Sequence, residues 1–149
     1  MSIDQRTRRL KDVTPLAVEQ VVDEVLPAAL HDHGDLATQG AEARQLPPLG
    51  LASEGAEITL RIQAGRLVVE SGLVHAGVVA RLSETALSDL VQDYQSTMGL
   101  AMTARVQLES GQMDDWLGWE PVLRALLDGR KVYAPGDVTF RDLAGAPLD

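Results

Sequence analysis

Apolar positions change period along the chain. Leu16, Val18, Val21, Val22, Val25, Leu26, Ala29 and Leu30 recur at spacings of mostly three and four, the stripe of an amphipathic helix. Thr14 followed by Pro15 suits its N-cap and first helical position. Pro27 lacks a backbone donor and crowds the preceding turn, so it should kink this helix or end it early. From 34 to 55 the periodicity is lost, and Pro47, Pro48 and Gly50 predict a connection, or a short helix followed by a loop. A period of two then takes over: Ile58, Leu60 and Ile62 alternate with polar residues over 57–63, which places them on one buried face of a strand. Ala64-Gly65 supplies a tight turn, and 66–70 returns as the second arm of a hairpin. A third strand pattern covers 76–82. Connections this short point to a meander of three antiparallel strands.

The helical period resumes at Ser83, which suits an N-cap, with Glu84 near the positive end of the helix dipole. Leu87, Leu90, Val91 and Tyr94 form its inward face. The uncharged stretch 97–104 precedes an alternating strand at 105–109, closed by Gly111. Asp114 or Asp115 then caps a last helix carrying Trp116, Leu117, Trp119, Val122, Leu123, Leu126 and Leu127, with Gly129 as its stop. Pro121 places Trp119 before the regular helix begins. The tail is turn-rich, with a short edge strand at 137–140. The expected architecture is α+β: a largely antiparallel sheet of about five strands covered by helices, with an extra N-terminal helix. Residues 1–13 read as an arm, 14–133 as a single domain and 134–149 as a tail or linker.

Composition narrows this picture. Apolar residues are 45% of the chain and aromatics 3%, so the interior must be built from Leu, Val, Ala and Met. A formal charge of -9 argues against a nucleic-acid binder, which would present a basic face. Arg6, Arg8, Arg9 and Lys11 are the local exception, and Asp4 and Asp12 beside them make a solvated arm the simpler reading. The chain has no Cys, which removes disulfides and thiolate chemistry. Neither a membrane-spanning run nor a secretion signal is legible, and a cytoplasmic protein is expected.

The hairpin Ile58–Ile62 to Arg66–Glu70, the strand Val78-Val79-Ala80-Arg81-Leu82 leading into the Ser83-capped helix, and the small-residue segment before Arg105 resemble the sterol carrier protein 2 family. The resemblance covers about half of the chain. It implies a curved sheet and helices enclosing a hydrophobic tunnel, and non-covalent binding of a fatty acyl, acyl-CoA or sterol-like molecule without cofactor, metal or stable membrane insertion. In such a tunnel each ligand methylene leaving water contributes about 0.8 kcal/mol. Met98, Leu100 and Met102 are the expected wall, since thioethers reshape around variable guests. The same cluster also fits an ordinary filled core, and only an unfilled volume separates the two. Trp116 and Trp119 suit either a lid over the pocket or a packed helix. Tyr94 and Arg105 are candidates for orienting a head group, or surface residues. The run 128–142 resembles the junction at which a domain of this type precedes a phytanoyl-CoA dioxygenase-like region. That implies an accessory domain presenting an acyl substrate to an oxygenase partner.

Catalytic readings find little support. His31-Asp32-His33 has the wrong arrangement for a two-His, one-carboxylate iron site, with His75 far along the chain. Asp114 and Asp115 diverge in direction as neighbours. Ser83, Ser88 and Ser110 have no patterned His partner, and neither a nucleophile elbow nor a phosphate loop occurs. No enzyme is expected from this chain alone. The rival reading is a protein-interaction or homodimerisation module that docks through an apolar helix face including Leu123 and Leu127.

Overall fold

The computed structural model describes residues 14–132 and 143–146, so the arm at 1–13 and the edge strand expected at 137–140 lie outside the described residues. Helix α1 starts with an α turn over Val18–Gln20, passes through the π-helical stretch Val21–Val25 and continues as Leu26–Arg44. Its N-cap is Ala17, not Thr14. A distant helix decides this start: Leu16 N donates to Ser88 Oγ at 2.8 Å and Val18 N to Glu84 Oε2 at 3.1 Å. Pro27 does not end the helix. The ladder before it has already slipped by one residue, with Leu26 N bonding Val21 O, and the proline falls in the first turn where α geometry resumes. The second half of α1 carries no strong stripe because its buried positions are small: Ala37, Thr38, Gly40 and Ala41. A Cβ on Gly40 would stand 2.7 Å from Val132 Cγ2.

Five strands form one sheet: β1 (Leu49–Ser53), β2 (Ala56–Gln63), β3 (Arg66–Ser71), β4 (Val78–Leu82) and β5 (Val106–Ser110), in the order β3-β2-β1-β4-β5. Three pairings are antiparallel, but β1 and β4 run parallel. The sheet is therefore mixed, though mostly antiparallel, and the expected three-strand meander does not form. Strand β1, read from the sequence as a loop, wedges between β2 and β4. The hairpin itself is as expected, with Gln63 paired to Arg66 across Ala64 and Gly65.

Because β3 and β4 point the same way, residues 72–77 make a crossover without a helix. They run over the outer face of β1 and β2, where the side chains are small enough to allow it. A Cβ on Gly50 would come within 2.9 Å of Leu73 and 3.0 Å of Ala76. Thr59 Oγ1 donates to Gly72 O at 2.7 Å and accepts from Val74 N at 3.0 Å. Cross-strand pairs Arg61–Glu70, at 2.6 Å, and Arg81–Glu109 complete this polar face.

The inner face is largely apolar, with Leu67, Leu60, Leu49, Val78 and Leu108 on successive strands. Helices α2 (Glu84–Val91), α3 (Thr97–Met102), α4 (Met113–Gly118) and α5 (Glu120–Asp128) share its core with α1. Ser83 caps α2 by accepting Ala86 N at 3.1 Å, and Gly129 ends α5 at φ 70°. The expected Trp-rich helix is two helices joined at Trp119, and its cap is Gln112 rather than Asp114 or Asp115, which occupy the first turn of α4. Helix α5 packs along α1, which buries Leu123 and half-buries Leu127. Leu123 is therefore part of the core, and Leu127 lies at its margin.

Candidate ligand-binding site

The layer over β4 and β5 is built from short pieces. Helix α3 has six residues and is held by caps at both ends: Ser96 Oγ accepts Gly99 N at 3.0 Å, and Thr103 Oγ1 donates to Gly99 O at 2.8 Å. Leu100 is its anchor, fully buried, whereas Met98 and Met102 are 53% and 79% exposed. Four residues apart, the methionines share the outward side of α3. Trp116 and Trp119 are buried, and each indole N–H reaches a carbonyl: Trp116 bonds Thr97 O at 3.0 Å, and Trp119 bonds Pro47 O at 2.9 Å. One indole fastens α4 to the start of α3, and the other fastens it to the segment before β1. Tyr94 is half-buried just beyond α2. Arg105 bonds Gln95 and pairs with Asp89 at 2.8 Å. Leu100 and the indoles are therefore in the core, the two methionines outside it, and Arg105 at the rim.

That rim borders a cleft of about 380 Å³ lined by Ser53, Glu54, Arg81, Leu82, Ser83, Ala104, Arg105, Val106 and Gln107. It lies where β1 and β4 end and β5 begins. Leu82 and Val106 belong to the apolar inner face, and Arg105 N bonds Leu100 O at 2.8 Å, so the cleft floor leads toward the underside of α3. Both guanidinium groups already hold carboxylates, Glu109 for Arg81 and Asp89 for Arg105. Their hydrogen bond and charge raise Arg81 above its ordinary value and lower Glu109 below its own. Glu54 accepts Glu84 N at 3.5 Å. Ser53 Oγ is buried and has no hydrogen-bond partner among the described residues. Ser53 and Arg81 escape sequence reasoning because neighbouring strands from distant parts of the chain bring them together; the only signal is that Arg81 interrupts an apolar run.

A second, more polar hollow of about 440 Å³ lies between α1 and β3, with His31, Asp32, His33, Asp35 and Arg66 on its walls. Among the described residues no three His, Asp or Glu side chains gather as metal ligands. No helix among them is long and apolar enough to cross a membrane.

No family model and no curated protein matches the sequence. Solved structures do match the fold. Apo sterol carrier protein 2 from Yarrowia lipolytica aligns with a TM-score of 0.54 at 17% identity, covering 72% of this chain and 91% of that one. The sterol carrier protein domain 2 of Helicoverpa armigera aligns at 0.55 and 12% identity, covering 81% and 99%. A double mutant of the sec-alkyl sulfatase PisA1 aligns at 0.52 and 18% identity, covering 80% of this chain but 17% of that one. The chain has the sterol carrier protein 2 fold, as the hairpin and the capped-helix motif imply.

Proposed function

We propose that the protein binds a hydrophobic ligand, fatty acyl, acyl-CoA or sterol-like, without covalent chemistry, between the inner face of the sheet and the α3–α4 layer. One observation carries this reading: a largely apolar sheet face is roofed there by two six-residue helices, one of them anchored in the core by Leu100. Short segments fixed by caps and indole hydrogen bonds can part locally at small cost, whereas one long packed helix cannot. The fold neighbours named as sterol carrier proteins support the same reading. Leu100, Trp116 and Trp119 then form the contact surface, Met98 and Met102 the outer side of the movable helix, and Tyr94 and Arg105 its polar rim. The same fold occupies a small share of the PisA1 chain, which supports an accessory role beside a catalytic unit, with an oxygenase as the proposed partner. Titration with a fluorescent fatty-acid probe tests the binding: a saturable signal with fixed stoichiometry is expected, and unsaturable partition of the probe would overturn the reading.

A further inference from the structure

Resting on the ligand-binding reading, we infer that the outer side of α3 is a docking surface for a lipid layer of no net charge, from which the domain takes up its hydrophobic ligand. Three features of the helix lead there. The first is apolar exposure. Met98 and Met102 are 53% and 79% exposed, and among the described residues only Leu143 is a more exposed large apolar side chain than Met102. Thioethers are flexible and polarizable, which suits contact with a surface of no fixed shape. The second is charge. The chain carries a formal -9, yet residues 94–104 include no charged side chain. The charges that bound this stretch are matched within the domain: Asp93 meets Arg130 at 2.7 Å and Arg124 at 3.5 Å, and Arg105 meets Asp89 at 2.8 Å. Seating α3 on an apolar layer therefore strips water from no unmatched charge. An anionic layer would be repelled by the acidic chain as a whole. It would also face Asp114 and Asp115 in the first turn of α4, which Trp116 fastens to the start of α3. The third is position. Leu100 buries the inward side of the same helix, so the segment that yields to admit hydrocarbon also presents the uncharged apolar side outward. A ligand of that kind avoids water and gathers in lipid layers, and contact there lets it pass beneath α3 without crossing solvent. The contact is peripheral, since no helix among the described residues is long and apolar enough to cross a membrane.

Flotation of the ligand-free whole chain with phosphatidylcholine vesicles tests the inference. Measurable partition is expected, and adding phosphatidylglycerol to the vesicles should weaken it. Met98→Gln combined with Met102→Gln should reduce partition about tenfold at an unchanged urea midpoint, because both side chains are exposed. Met113→Gln is the comparison. That thioether is 44% exposed but stands beside Asp114 and Asp115, which resist burial against lipid, so its loss should change partition less than about twofold. No partition, or an equal loss in Met113→Gln, would overturn α3 as the docking surface. The ligand-binding reading would still stand, because the fatty-acid probe titration tests it in the absence of vesicles. Tighter binding to phosphatidylglycerol vesicles that the double variant retains would also overturn the inference, and assign the contact to the basic arm at Arg6, Arg8, Arg9 and Lys11. Self-association in sedimentation that the double variant abolishes would give the face to a second copy of the chain instead. Partition with the expected losses beside a failed probe titration would support the surface and sink the ligand-binding reading alone.

Discussion

The hydroxyl of Thr59 accepts the N–H of Val74 at 3.0 Å across a gap of fifteen positions in the chain. The same oxygen donates to Gly72 O at 2.7 Å, so one fully buried side chain on β2 pins both ends of the turn that carries the β3–β4 crossover. Thr59→Val keeps the shape and leaves the part-buried Val74 N–H and Gly72 carbonyl without this partner. The expected loss is about 2 kcal/mol in urea unfolding, with proteolytic cleavage appearing first within 72–77. An unchanged midpoint would mean that the crossover is held by Leu73 and Ala76 packing over Gly50 instead.

The β2–β3 turn stores strain that a substitution can release. Ala64 and Gly65 have φ values of 52° and 77°, the left-handed pair of a type I′ turn. Alanine is a poor occupant of that region, by about 1 kcal/mol, and Asn-Gly is the preferred sequence for the turn. Ala64→Asn should therefore stabilise the domain by about 0.5–1 kcal/mol in urea unfolding, without altering ligand binding. A loss of stability would place the turn in another geometry in solution.

What was legible in the chain follows from how each element is buried. Strands β2 and β3 have one inner and one outer face, so alternation reveals them, and Ser83 and Gly129 announce helix ends through their own backbone chemistry. Strand β1 is covered on both faces and so shows no alternation. The second half of α1 packs through Ala and Gly, which a search for large apolar residues passes over. The parallel β1–β4 pairing depends on Gly50 and Thr59 acting on a loop that is distant in sequence. The candidate site divides in the same way. Leu100 and the two indoles stand out by residue type, whereas Ser53 becomes visible only when its missing partner is seen, and the exposure of Met98 and Met102 depends on how α3 is turned.

The Arg81–Glu109 pair gives a small acid-dependent contribution of known sign. Hydrogen bonding to Arg81 holds the Glu109 carboxyl below its ordinary value of 4.5. For a depressed acid the stabilisation is complete above the unfolded value and is lost as pH falls through the folded one. Both groups are exposed to solvent, so salt should screen the effect. Urea midpoints followed from about pH 5 down to about pH 2 should fall less steeply in Glu109→Gln than in the parent. Added salt should shrink the difference. Parallel curves would show that the pair contributes nothing in solution.

Leu100→Trp separates a ligand volume that opens from a core that is permanently filled. Leu100 is fully buried on the inward side of the six-residue helix α3, and an indole is much larger than the side chain it replaces. If α3 yields to admit a guest, it also yields to the added ring. The variant should then lose saturable probe binding while unfolding within about 1 kcal/mol of the parent, less than overpacking of a rigid core usually costs. The probe titration read beside urea unfolding gives both quantities on one sample. In the parent protein Trp116 adds an independent signal, because its indole N–H bonds Thr97 O at the start of α3, so ligand entry beneath that helix should shift its emission. Retained binding in the variant, or destabilisation by about 1–3 kcal/mol as in rigid interiors, would locate the ligand elsewhere or show the core beneath α3 to be closed.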